Sequence, residues 1–319
     1  MSNLHDLIET QGKAAALAGD YSRSVVEAAS SYLADEDGGI GFLYSGWCQA
    51  ALPHRRLPDG QVWQIASERV RLAVEPGLQP GPSGDLVAGG VPYGSRARLI
   101  MLYLQSEALR TGSREVELGR SLRDWLGRMG IPQGGKSQRE VREQADRIAR
   151  CRFTFHIQAP GGRIGLVNQN IVDRAMFEPH ADLEGGTLFT ETCKLSEGFV
   201  EALCRHPVPV EEAAVRAISN NSAALDVYAW LAYRLHALDK PTSVSWPALK
   251  AQFGPGVSRM NNFRAGFLES LRLALAVYRR AKIEVEDRGL VLHPSLPPVA
   301  PRLVQGRRLS ATINRKIFF

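Results

Sequence analysis

The sequence predicts an α+β protein made of two tandem copies of one domain, preceded by a small N-terminal α/β extension. Two observations carry this reading. One order of elements recurs about 130 residues later, and within each copy the hydrophobic period switches from helical to alternating. A third observation, the run of Pro and Gly over residues 76–94, sets the extension apart from the first copy. The 319 residues suffice for about two domains, and 44% hydrophobic with 23% charged residues is an ordinary globular composition.

Helical periodicity over Leu4 to Leu17 and Ser24 to Ala34, then alternation at Ile40, Phe42 and Tyr44 and at Val70, Leu72 and Val74, give the extension two helices and a small β element, residues 1–75. Residues 76–94 read as a linker, because such a density of Pro and Gly continues neither helix nor strand. The first copy, 95–185, then runs through a helix over Ala97 to Leu109, a short strand over Glu115 to Leu118, a short helix over Ser121 to Met129 and a longer one over Ser137 to Arg150. It closes with a hairpin over Arg152 to Ile157 and Arg163 to Val167. The second copy, 186–296, repeats this with a helix over Leu225 to Leu238, a strand over Ser243 to Ser245, a short helix over Pro247 to Phe253 and a longer one over Arg259 to Tyr278. Its hairpin, Ala281 to Leu292, turns at Asp287, Arg288 and Gly289. Residues 297–319 form a basic tail.

Helix, short strand, helix, longer helix and hairpin is the element order of a winged helix, a helix-turn-helix variant. In that geometry the second of the consecutive helices enters the major groove of duplex DNA by its N-terminal end. The same fold also serves as a protein-interaction module, so charge on the candidate reading helices has to discriminate. In the first copy Val141, Ala145 and Ile148 form the apolar stripe, which leaves Lys136, Ser137, Gln138, Arg139, Arg142, Glu143, Asp146, Arg147 and Arg150 on the other faces. Lys136, Ser137, Gln138, Arg139 and Arg142 are the candidate DNA contacts: Arg suits guanine edges, Gln adenine, Lys and Ser phosphate. A mixed-charge helix is also what a solvated face looks like.

In the second copy Phe263, Phe267, Leu271 and Leu275 form the stripe, and Ser258, Arg259, Asn261 and Asn262 crowd the helix start as candidate base contacts, with Ser258 alternatively the N-cap. Candidate phosphate contacts are Arg163 on the first hairpin, Arg279, Arg280, Lys282 and Arg288 around the second, and Arg307 and Arg308 in the tail. Six of the 39 basic residues and none of the 33 acidic ones lie from Arg288 onward, so the +6 formal charge resides in residues 288–319 and the rest of the chain is balanced.

Other function classes find little support. Gly130 to Ser137 satisfies GxxxxGKS, yet the segment before it reads as a helix where a phosphate-binding loop needs a buried strand. The seven histidines include no HxH pair for a nicking metal site, and neither GxSxG nor HExxH occurs. No catalytic residue, metal or cofactor is expected. Cys48, Cys151, Cys193 and Cys204 form no CxxC pair and read as reduced, small buried hydrophobes of a cytoplasmic protein. No apolar run approaches the ~20 residues of a membrane span.

Longer blocks carry a family resemblance. They are SGWCQAALPHRR (45–56), SERVRLAVEPG (67–77), GVPYGSRARLIMLYLQSEALRTGSREVELGRS (90–121), GGKSQREVREQADRIARCRFTF (134–155), LSEGFVEALCRHPVP (195–209), NNSAALDVYAWLAYRLHAL (220–238), SVSWPALKAQFG (243–254) and GLVLHPS (289–295). In these blocks and their order the chain resembles the plasmid-encoded RepA replication initiators of proteobacterial plasmids. The resemblance implies a non-catalytic protein that binds repeated double-stranded sequences (iterons) at a plasmid origin, promotes origin opening or helicase loading, and so bears on copy control. The implied partners are origin DNA, a host initiator protein, the replicative helicase and a second copy of the chain. The alternatives are a winged-helix transcriptional repressor, autoregulatory or otherwise, and more remotely a P-loop phosphohydrolase.

Overall fold

The computed structural model describes residues 2–35, 38–67, 70–158, 164–175 and 192–300. In chain order the extension contributes α1 (Ser2–Ala18), α2 (Arg23–Leu33), β1 (Ile40–Tyr44), β2 (Trp63–Ala66) and β3 (Val70–Glu75). Next come β4 (Leu78–Pro80), β5 (Leu86–Ala88), α3 (Gly94–Thr111), β6 (Glu115–Glu117), α4 (Leu122–Arg128), α5 (Gly135–Arg150), β7 (Arg152–Gln158) and β8 (Ile164–Asn170). A connecting stretch, unassigned by sequence, holds β9 (Val172–Ala175), β10 (Thr192–Leu195), α6 (Glu197–Arg205), β11 (Pro207–Glu211) and α7 (Glu212–Ala217). The chain then forms α8 (Ser222–Arg234), β12 (Thr242–Ser245), α9 (Trp246–Phe253), α10 (Met260–Ala276), β13 (Ile283–Glu286) and β14 (Gly289–Leu292).

The molecule is thus α+β, and the predicted order of elements does recur, as α3–β6–α4–α5–β7–β8 and as α8–β12–α9–α10–β13–β14. The sheets differ between the halves. In the second, β14 lies between β12 and β13, so the strand before the helix pair joins its own hairpin. In the first, β6 pairs with β10, and the hairpin β7–β8 extends a four-stranded sheet in the order β2-β3-β7-β8.

This pairing changes the reading of the N-terminal strands, which form no separate β element. Val70, Leu72 and Val74 are buried opposite Ile157, Phe155 and Phe153, because an alternating strand must place its apolar face against a sheet or helix. Strand β1 pairs with β11, more than 160 residues away in sequence. Its remaining edge is met by α3: the Phe42 N–H donates to Ser106 Oγ at 2.9 Å and the Tyr44 N–H to Gln105 Oε1 at 2.7 Å. Buried backbone donors are rarely left without acceptors, and here side chains of a helix supply them. Helices α1 and α2 pack together, and α2 lies against α7 and α10. The His5 ring pairs with the Ala276 carbonyl at 2.7 Å, which ties α1 to the end of α10.

The expected linker is partly structured. Strands β4 and β5 form a short hairpin, and Gly89 to Pro92 are buried against α5. Here a long-range partner overrides local composition. Arg147, placed by periodicity on an open face, is 4% exposed. It donates to the Val91 carbonyl (3.1 Å), Asp59 (3.1 Å) and Glu143 (3.2 Å), and its guanidinium stacks over the Tyr93 ring at 5.3 Å. Gly90 makes this approach possible: its φ of +77° is left-handed, and a Cβ there would collide with the guanidinium.

Both apolar stripes face a core of buried residues that is continuous through the two halves. Of the cysteines, Cys48, Cys151 and Cys193 are buried as expected, whereas Cys204, near the end of the amphipathic α6, is exposed. No helix among the described residues is long and apolar enough to cross a membrane.

Candidate nucleic-acid interface

Each half presents a pair of consecutive helices, α4–α5 and α9–α10, and the termini of the two members differ. The first helix of each pair is capped by a side chain: Ser121 Oγ accepts the Asp124 N–H at 3.1 Å, and Ser245 Oγ accepts the Ala248 N–H at 3.4 Å. The second helix of each pair has no side-chain cap. Gly134 and Arg259 occupy the cap positions of α5 and α10, and neither first turn contains an acidic residue. A helix N-terminus left this way presents free N–H donors and the positive end of its dipole.

The turn before α5 has a definite geometry. The Gly130 N–H donates to the Gly127 carbonyl (3.0 Å) and the Ile131 N–H to the Leu126 carbonyl (2.8 Å), with Gly130 at φ +66° and Ile131 buried. This is a Schellman termination of α4, which explains the first glycine of the GxxxxGKS match. The element before that glycine is α4, not a strand.

At the start of α5, Lys136 and Arg139 are exposed, and Lys136 only brushes Glu140 at 3.9 Å. The acidic residues of the helix are held by other arginines: Glu140 by Arg96 at 3.2 Å, Glu143 by Arg147 at 3.0 Å, and Asp146 by Arg150 at 2.8 Å. The surface at this end is therefore cationic although the helix as a whole carries mixed charge. Gln138 is half-buried and donates to the Gln133 carbonyl at 3.2 Å, and Arg142 is half-buried. Ser137 is buried, which corrects its assignment as an open contact; the inward side of the first turn packs on the body. Arg120 and Arg123, at the start of α4, are further exposed cations on the same helix pair. Sequence reasoning missed them because it weighed only the longer helix, although they flank the Ser121 cap.

At the start of α10, Ser258, Arg259, Asn261 and Asn262 are all exposed. Ser258 is not the N-cap, since Arg259 takes that place. Arg264, one turn on, stacks over the Trp246 ring at 4.8 Å and so braces α10 against α9.

The remaining candidates are dispersed. Arg279 is bound by Asp6 and Glu9, each at 2.7 Å, and serves as a structural tie. Arg280 follows the C-terminal end of α10, a helix about 25 Å long, and so lies at the end opposite Arg259. Lys282 lies at the base of the second hairpin, where its N–H donates to Ser295 Oγ at 3.1 Å. Arg288, at the tip, is exposed beside Asp287, Glu286 and Glu284, so this hairpin is not a basic arm. Arg163, Arg307 and Arg308 lie outside the described residues. Among the described residues no group of His, Cys, Asp and Glu is arranged to hold a metal ion.

These features define an α+β protein with two exposed, uncapped helix N-termini that carry Arg, Lys and Asn. Residues 91–247 match the family described as plasmid encoded RepA protein, and this match supports a RepA-type plasmid replication initiator family for the chain. The fold is shared with a crystal structure of domains 2 and 3 of RctB. That match has a TM-score of 0.50 at 12% identity, covering 81% of this chain and 99% of the other. A second structure of RctB domains 2–3 aligns with a TM-score of 0.47 at 12% identity, over 77% of this chain and 94% of that one. No curated protein matches the chain.

Proposed function

We propose that the chain is a cytoplasmic, non-enzymatic initiator with two winged helices that binds repeated double-stranded DNA at a plasmid origin and promotes origin opening or helicase loading. One observation carries the reading: the second helix of each pair ends in an uncapped, acid-free N-terminus bearing exposed Lys136 and Arg139 on α5, and Arg259, Asn261 and Asn262 on α10. Free backbone donors with Lys suit phosphate, and Arg and Asn suit guanine and adenine edges. The recurrent element order, and the sheet β12-β14-β13 that ties a hairpin to its helix pair, support the winged-helix assignment. The Schellman turn at Gly130 supports the non-enzymatic part, because it gives the first glycine of the match a role in ending α4.

Selection of bound duplexes from a random pool, compared with DNA flanking the gene, tests this. The expected result is a motif repeated nearby, and absence of enrichment would reject it. With the motif in hand, Arg139→Ala is expected to weaken cognate binding by about 1–3 kcal/mol and relax one base position, whereas Lys136→Ala weakens all sequences alike and lowers the salt slope by about 1. A plasmid that replicates without the gene while its promoter is derepressed would replace the initiator reading with a repressor.

A further inference from the structure

Helix α5 packs on α3, α10 packs on α8, and α3 meets α8, so the two exposed N-termini are linked through one helix–helix joint. Arg98 is the fifth residue of α3 and Asp226 the fifth residue of α8. Equivalent positions of the two halves thus face each other, one as cation and one as anion. We infer that Arg98 and Asp226 are positioning residues that set the separation and angle of α5 and α10, and with them the spacing between the two DNA segments the chain contacts. This inference rests on the DNA-binding reading above.

The contact is a bidentate fork, with Nε to Oδ1 at 2.6 Å and Nη2 to Oδ2 at 2.7 Å, and both side chains are 10% exposed. The remaining guanidinium donors reach the carbonyls of Leu52 (2.7 Å), Gly94 (2.8 Å) and Pro53 (3.3 Å). His54 Nδ1 lies 3.0 Å from Ser222 Oγ at the start of α8. One arginine therefore fastens α3, α8 and the loop at 52–54 together, and its planar fork fixes their mutual orientation.

Apart from this fork and the His54–Ser222 contact, the side chains lining the α3–α8 joint are mainly apolar. Beside the fork, Leu99 and Leu102 of α3, Leu225 of α8 and Val215 of α7 line a small void of about 50 Å³. Apolar contact resists separation but specifies angle weakly, and a void leaves room to slide. The β1–β11 ladder still holds the chain together without the fork, so losing it should loosen the joint and leave the halves attached.

The test uses full-length protein carrying Arg98→Met, Asp226→Asn, or Arg98→Met with Asp226→Leu, an apolar pair that leaves no lone buried charge if a single variant fails to fold. Each is titrated against the selected duplex, against versions with two base pairs inserted or removed between the segments protected by the two helices, and against each segment alone. The expected result is a preference for the native spacing that falls tenfold or more in the variants, with affinity for isolated segments unchanged. A spacing preference equal to the parent's would overturn the inference.

A second readout uses no DNA: spin labels at Arg139→Cys and Asn262→Cys in a Cys204→Ser background. Their distance distribution is expected to be narrow in the parent and broad when the fork is removed, and equal widths would refute the joint. If the parent selects no DNA at all, the binding reading fails by itself and the label distances decide the joint.

Discussion

Replacing Arg147 by Met removes a buried cation while keeping most of its aliphatic volume, and the structure allows the loss to be estimated contact by contact. The Val91 carbonyl gives up its guanidinium partner at 3.1 Å, worth about 1–2 kcal/mol for a buried acceptor. Loss of the stack on Tyr93 adds about 0.5–1 kcal/mol. The two carboxylates contribute less, because their side chains are 39% and 38% exposed and can rehydrate. Asp59 also keeps Arg56 at 2.9 Å, and Glu143 keeps the Tyr93 hydroxyl at 3.3 Å. Each is therefore worth no more than about 0.5 kcal/mol.

The expected destabilisation is about 2–3 kcal/mol, read as a lower urea midpoint at unchanged slope at pH 7. The effect should shrink in acid. Arg56 first, and Arg147 after it, hold the Asp59 carboxyl below its ordinary value of 3.8. A depressed carboxylate pKa stabilises the fold above the ordinary value, and that contribution is lost as pH falls through the folded-state value. A change under about 0.5 kcal/mol at pH 7 would refute the view that Arg147 pins residues 89–93 to α5.

Gly90→Ala places a methyl group against the same guanidinium at a left-handed backbone, so it should cost about 1–3 kcal/mol in the same assay; a neutral result would mean the loop repacks freely. Burial first, and the neighbouring Arg98 second, push the His54 pKa down, so the folded state binds fewer protons and stability should fall as pH drops below about 6.5. His54→Gln should flatten that slope in urea midpoints collected over about pH 5 to 7.5, leaving the part due to His206, which burial shifts the same way. With an aromatic disulfide reagent near neutral pH, Cys204 alone should react quickly. Burial raises the Cys151 thiol to about 11 and the Cys193 thiol to about 12, and pushes Cys48 up as well. A second fast thiol before unfolding would contradict this packing.

Much of the local structure was legible because it depends on local rules. Leu122, Trp125 and Leu126 mark one face of α4, Ser121 caps it, and Gly130 ends it, all within ten residues. The stripes Val141, Ala145, Ile148 and Phe263, Phe267, Leu271 likewise show which faces of α5 and α10 turn inward. What these patterns omit is the identity of the covering surface. The alternation of Val70, Leu72 and Val74 announces a buried strand face, yet nothing in it names Phe153 and Phe155, some 80 residues on, as the residues opposite.

The candidate interface divides the same way. That Lys136, Arg139, Arg259, Asn261 and Asn262 sit at helix starts follows from sequence, because helix phase and turn position fix them. Which cations remain open to solvent was decided by tertiary partners. Arg147 was claimed by the Val91 carbonyl, Arg279 by α1, Arg98 by Asp226, and Glu140 of α5 by Arg96 of α3. Charge pairing over long sequence separations leaves no periodic trace, so sequence alone determined the helices and their exposed ends, and only the folded chain decided which charges are left for a partner.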